Sequence, residues 1–92
     1  MKLRYKARAL RHLEQIHSYI AKDDPAAASR VVVRIAHSIG RLSRFPWSGR
    51  PGVVAGTRIL VVPGIPYVVV YRVLEEFIAV LAILHTARRR RS

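Results

Sequence analysis

Near its C-terminus the chain carries eight consecutive apolar residues, Phe77 to Leu84, reading FIAVLAIL. The run is far too short to cross a bilayer, which takes about 20 apolar residues in a helix. It is strand-sized, and it offers a nonpolar side chain to both faces of a sheet. This predicts a central strand, Phe77 to His85, in the middle of the sheet, that the rest of the chain must cover. Two more strand-like segments precede it, Thr57 to Val62 and Tyr67 to Leu74. Both are rich in Val, Ile and aromatic residues. Pro63-Gly64-Ile65-Pro66 separates the first pair and Glu75-Glu76 the second, so consecutive hairpins are expected.

The cover comes from the N-terminal half. Residues 2–6 alternate polar and apolar, as a short edge strand does. From Ala7 to Lys22 the period changes, with Ala9, Leu13, Ile16 and Ile20 on one helix face. Asp24 is a natural N-cap, and Pro25 suits the first position of a second helix, Pro25 to Arg44. Ala28, Val32, Ile35, Ile39 and Leu42 form its apolar stripe. Arg30, Arg34, His37, Arg41 and Arg44 form a basic stripe on the opposite side. Two prolines and two glycines between Phe45 and Gly52 predict a loop without regular structure. The layout is α+β, in the order β-α-α-β-β-β: a helical hairpin packed on a mainly antiparallel sheet. Ninety-two residues fit one domain, 1–92, with a flexible basic tail at 88–92.

Charge narrows the partners. Seventeen Lys and Arg face five Asp and Glu, a formal net charge of +12. Such a chain fits nucleic acid or a strongly acidic protein, and self-repulsion favours a neutralising partner. There is no cysteine, which is compatible with a reducing cytoplasm. The first ten residues lack the apolar core of a signal peptide, and no membrane association is expected.

The carboxylates Glu14, Asp23, Asp24, Glu75 and Glu76 are spread over a helix, a helix start and a hairpin tip. They cannot gather around a metal, which argues against magnesium-dependent cleavage. The four histidines, His12, His17, His37 and His85, are too scattered for a ligand set, so neither metal nor cofactor is expected. Metal-free RNA cleavage asks for less: proton transfer at the 2′-hydroxyl and the leaving oxygen, and cations on the phosphorane. His85, with Tyr67 or Tyr71 and with Arg58 and Arg72, supplies those residue types. The plainer reading makes His85 a packed strand end and the tyrosines ordinary sheet residues. Trp47 either anchors its loop or marks an interface. Hairpin register decides whether the groups meet. A two-residue turn at Glu75-Glu76 puts His85 on the face of Arg72, opposite Tyr67 and Tyr71; a one-residue slip reverses this.

The segments ALRHLEQIHSYIAKDDPAAASRVVVRI, RLSRFPWSGRPG, GTRILVVPGIPYVVVYRV and AVLAILHTARRR occur in that order. Together, from Ala9 to Arg90, they resemble the RelE/ParE superfamily of bacterial toxins. The resemblance implies a RelE/ParE-like fold and the toxin of a type II toxin–antitoxin module. It also implies a cognate acidic antitoxin that wraps the toxin, a toxin–antitoxin heterotetramer being one arrangement. RelE-like members cut mRNA on the ribosome; ParE-like members inhibit DNA gyrase. Cutting members tend to carry arginine at the start of the middle strand, where this chain has Tyr67. The sequence therefore resembles the ParE side more closely. The expectation is a gyrase inhibitor that binds antitoxin or target through Arg30, Arg34, Arg41, Arg44, Arg50, Arg88, Arg89 and Arg90. One alternative is a ribosome-dependent, metal-independent mRNA endoribonuclease using His85, Arg58, Arg72 and Tyr67. Another is a non-toxic basic module that binds nucleic acid.

Overall fold

The computed structural model of the chain describes residues 1–87. Its elements are β1 (Lys2–Tyr5), α1 (Ala7–Ala21), α2 (Pro25–Arg41), β2 (Arg50–Pro51), β3 (Arg58–Val61), β4 (Tyr67–Val73) and β5 (Phe77–His85). They form one five-stranded sheet in the order β1-β5-β4-β3-β2. The hairpins β2–β3, β3–β4 and β4–β5 are antiparallel, while β1 pairs with β5 in parallel. The apolar run is an interior strand, but the middle of the sheet expected for it is held by β4, and β5 lies between β4 and the edge strand β1.

Both helices lie on one face of the sheet. Asp24 caps α2 through its Oδ1, which accepts from the Ala27 N–H at 3.1 Å, and Pro25 opens the helix. Such a cap contributes about 1 kcal/mol. Ile35, Ile39 and Leu42 are fully buried. Burying each contributes roughly 1.5–3 kcal/mol. The core between helices and sheet joins Ala9, Ile35 and Ile39 to Val62, Tyr67, Val69, Val80 and Ile83.

Most element boundaries fall within one residue of the sequence reading, and two features differ more. Helix α2 stops at Arg41, not Arg44, because the chain tightens there: Leu42 N–H donates to the Ile39 carbonyl and Ser43 N–H to the Gly40 carbonyl. The loop between Phe45 and Gly52 contains a two-residue strand, since Arg50 and Pro51 pair with Ile59 and Arg58. Pro51 is tolerated because β2 is the edge of the sheet.

The β4–β5 register carries the functional geometry. The turn at Glu75-Glu76 is the two-residue form: Leu74 N–H donates to the Phe77 carbonyl, and Val73, Arg72 and Tyr71 face Ile78, Ala79 and Val80. Past that point Val70 faces Ala82, so Leu81 is an extra residue in β5, a β-bulge. The bulge reverses the phase of everything beyond it. Tyr67 then faces His85, although the turn by itself would have placed His85 on the side of Arg72.

Candidate functional site

Directly opposed residues of an antiparallel pair share a face, and neighbours along a strand alternate. Tyr67, Tyr71, Arg58 and His85 therefore lie on the helix side of the sheet, and Arg72 lies on the other. On the helix side they divide into two groups. Tyr67 and Tyr71 are four residues apart, about 13 Å along the strand. Arg58 pairs with Tyr71 at one end, and His85 with Tyr67 at the other. The four residues proposed from sequence for RNA cleavage are not brought together.

The Arg58 end is a loop clamp. Tyr71 is fully buried; its hydroxyl donates to the Pro46 carbonyl at 2.8 Å and accepts from the Gly49 N–H at 2.9 Å. The Arg58 Nη2 donates to the carbonyls of Trp47 and Gly49. Its guanidinium also lies 5.1 Å from the Trp47 ring centre, a cation–π contact. A side chain at position 49 would meet the Ile59 carbonyl and the Tyr71 hydroxyl, both at 2.7 Å, so glycine is required there. Arg58 thus holds the backbone of its own loop and is not a free phosphate clamp. Trp47, 63% exposed, is anchored from one side and open on the other. Arg72, half-buried on the far face, lies against Gly56.

At the opposite end Tyr67 and His85 meet edge to face, with ring centres 5.2 Å apart. The His85 Nδ1 accepts from the Ala87 N–H at 3.1 Å. In the neutral ring that bond places the proton on Nε2 and leaves no exposed lone pair to act as a base. Sequence reasoning missed His12, which stands across from this pair. Its Nδ1 accepts from the Ile83 N–H at 3.1 Å. Burial, Arg8 and Arg11 all push its pKa below the usual histidine value. The signal was available: His12 falls three residues after Ala9 and four before Ile16, on the apolar face of α1. Two of the four histidines therefore do converge on one cleft, but both present N–H groups and not metal-binding lone pairs. Among the described residues no group of three or more His, Asp or Glu could hold a metal ion.

The basic stripe of α2 is exposed as expected. Arg30, Arg34 and Arg41 line a shallow groove of about 580 Å3 with Val33, His37 and Pro63, and no carboxylate lines it. Val33 is 66% exposed at its centre. Arg34 Nη1 donates to the Pro63 carbonyl at 3.3 Å, tying α2 to the β3–β4 turn. Arg41 continues the groove toward Phe45, Leu60 and Val61. Arg44 stacks near Phe45, and Arg50 lies apart on the edge strand β2. Arg88, Arg89 and Arg90 lie outside the described residues. Among the described residues no helix is long and apolar enough to cross a membrane.

Comparison with known proteins agrees with this architecture. The sequence model of the family described as the ParE toxin of the type II toxin–antitoxin system, parDE, matches residues 3–90. The protein Y4kP of Sinorhizobium fredii is 45% identical over 84 residues, covering 91% of this chain and 86% of its own. Toxin RelE2 of Caulobacter vibrioides is 35% identical over 81 residues, covering 88% and 90%. Among solved structures, a chain of the chromosomal ParDE toxin–antitoxin system from P. aeruginosa superposes with a TM-score of 0.84 at 27% identity, covering 92% of this chain and 95% of that one. A chain of the RelBE2 toxin–antitoxin complex from Mycobacterium tuberculosis shares the fold, with a TM-score of 0.61 at 24% identity over 91% and 95%. The helical hairpin on a mixed sheet, the segment order and these relatives converge: the chain is a toxin of the ParE family of type II toxin–antitoxin systems, within the RelE/ParE superfamily.

Proposed function

We propose that the chain is a binding toxin that inhibits DNA gyrase and is neutralised by an acidic antitoxin. The observation that carries this reading is the bulge at Leu81. It separates His85 from Arg72, while the β3–β4 register holds Arg58 beside Tyr71 at the other end of the sheet face. A metal-free nuclease needs proton transfer and phosphate clamping at one phosphodiester, and those groups here serve separate places. The His85 lone pair is also engaged by the Ala87 N–H. The toxin therefore acts by occupying its target.

The antitoxin surface is the groove along α2. Arg30, Arg34 and Arg41 surround the exposed Val33 and Pro63, which suits an amphipathic segment bearing carboxylates. Arg44 and Phe45 extend this surface. Arg50 and the arginines of the tail serve the same partner or the target.

Induced expression with separate readouts of DNA supercoiling and translation tests the proposal. Early loss of supercoiling with intact mRNA is the expected outcome. Early translational arrest with mRNA cut on the ribosome would sink it and favour the nuclease reading, for which the similarity to toxin RelE2 speaks. Normal growth and normal supercoiling would leave the non-toxic nucleic-acid binder.

A further inference from the structure

The toxin reading makes no use of the cleft between α1 and the end of β5. It measures about 610 Å3 and is lined by His12, Gln15, Tyr19, Tyr67 and His85 with apolar neighbours. That volume is in the range of small-molecule sites. Among the described residues no carboxylate lines it. Strand β1 stops pairing with β5 at Val80, and among the described residues no strand pairs with that edge of β5 beyond it. His12 covers this edge by accepting the Ile83 N–H.

Both imidazoles are fixed in the same sense. Each uses Nδ1 to accept a backbone N–H, from Ile83 for His12 and from Ala87 for His85. Each neutral ring therefore carries its proton on Nε2. Both rings line the same cleft, His12 from α1 and His85 from the end of β5. The Gln15 amide and the Tyr19 hydroxyl can donate as well. Arg8 and Arg11 add positive potential near His12. Tyr19, 71% exposed, offers a ring face at the rim. A set of N–H and O–H donors beside aromatic rings, with no acidic group, suits a phosphate joined to a planar base.

We propose that this cleft is a nucleotide site, in which the Nε2–H groups of His12 and His85 hold the phosphate and Tyr19 stacks on the base. The ligand is a free mononucleotide or the terminal nucleotide of a single strand. The site binds without cleaving, since neither ring has a lone pair left to take a proton. It is separate from the α2 groove and does not depend on the gyrase target.

The test is an NMR and calorimetric titration of the full chain with adenosine monophosphate, adenosine, inorganic phosphate and a short oligoadenylate. The decisive variants are His12→Asn and His85→Asn. An asparagine carbonyl can replace Nδ1 as acceptor of the backbone N–H but brings no donor to the Nε2 position. Tyr19→Ala removes an exposed ring and should leave the fold intact. Expected are saturable shifts of His12 and His85 with adenosine monophosphate. Each histidine variant should then lose about 10-fold or more in affinity at unchanged thermal stability, as for a hydrogen bond to a charged group. Adenosine and phosphate should each bind more weakly than the nucleotide. Oligoadenylate binding far above the mononucleotide identifies a strand as the source; equal binding identifies the free nucleotide. No saturable shift at either histidine overturns the proposal. So does adenosine binding as tightly as its monophosphate, or binding untouched by both asparagine variants.

Discussion

The two ends of the helix-side sheet face use similar residues in opposite ways. At one end Tyr71 and Arg58 turn their polar atoms onto the loop of Pro46, Trp47 and Gly49. At the other, Tyr67 and His85 meet across the strands, and His85 and His12 cap backbone N–H groups at the margin of an open cleft. A tyrosine beside a basic residue is therefore no signature of chemistry. What decides its role is which atoms are already engaged. At the buried end the Tyr71 hydroxyl and the Arg58 Nη2 are engaged by one loop conformation, with the buried Arg58 Nε left without a partner among the described residues, so it works as scaffold. At the open end the two imidazoles line a cleft, so it is the end that can meet a ligand.

The comparison breaks most visibly at the buried end. Tyr71→Phe keeps the ring but leaves the Gly49 N–H and the Pro46 carbonyl without their partner. It should cost about 2 kcal/mol in chemical denaturation, the penalty for buried polar groups left unsatisfied. A cost near zero would mean that the loop re-satisfies those groups by itself. At the open end, His12→Ala should cost less, about 1 kcal/mol, because water can reach the edge of β5. His12→Asn should recover most of that loss, and equal losses for both variants would remove the hydrogen bond to Ile83 as the cause.

The smallest effect is a pH dependence. Burial, Arg8 and Arg11 favour the neutral His12 ring in the folded state. Its folded pKa lies below the unfolded value of about 6.5. The unfolded chain then binds more protons in the interval between the two values. His12 contributes stability above the unfolded pKa, and that contribution is lost as pH falls through the folded pKa. The midpoint of thermal unfolding should drop on acidification below about pH 6.5 more in the parent than in His12→Asn. Parallel pH profiles for the two would refute this assignment.

Much of the fold was legible because its signals are local and periodic. The α2 stripes divide nearly as their spacing requires: Ala28, Ile35, Ile39 and Leu42 are buried and Val32 half-buried, while Arg30, Arg34, His37, Arg41 and Arg44 are exposed. The unbroken apolar run could only be an interior strand. Strand β2 was hidden because Pro51 and the adjacent glycines read as turn chemistry, and pairing with β3 overrode that local signal. The candidate site was less legible. The two-residue turn at Glu75-Glu76 was one of the two registers open from sequence, but the bulge at Leu81 has no marker in a run of interchangeable apolar residues. That single extra residue moved His85 to the face of Tyr67. Arg58 looked like a clamp for phosphate because the fold of the preceding loop, which turns the Trp47 and Gly49 carbonyls onto it, has no periodic signal in the sequence. His12 was overlooked because a polar residue on an apolar helix face shows its purpose only once the unpaired N–H of Ile83 is seen.

The central claim is that His85 is engaged with the backbone and faces Tyr67, away from Arg72. The neutral tautomer of His85, read by heteronuclear NMR together with its ring contacts, tests it most directly. Expected are a proton on Nε2, an unprotonated Nδ1 and a cross-peak to the Tyr67 ring. A proton on Nδ1, or a contact with Arg72 in place of Tyr67, would contradict it.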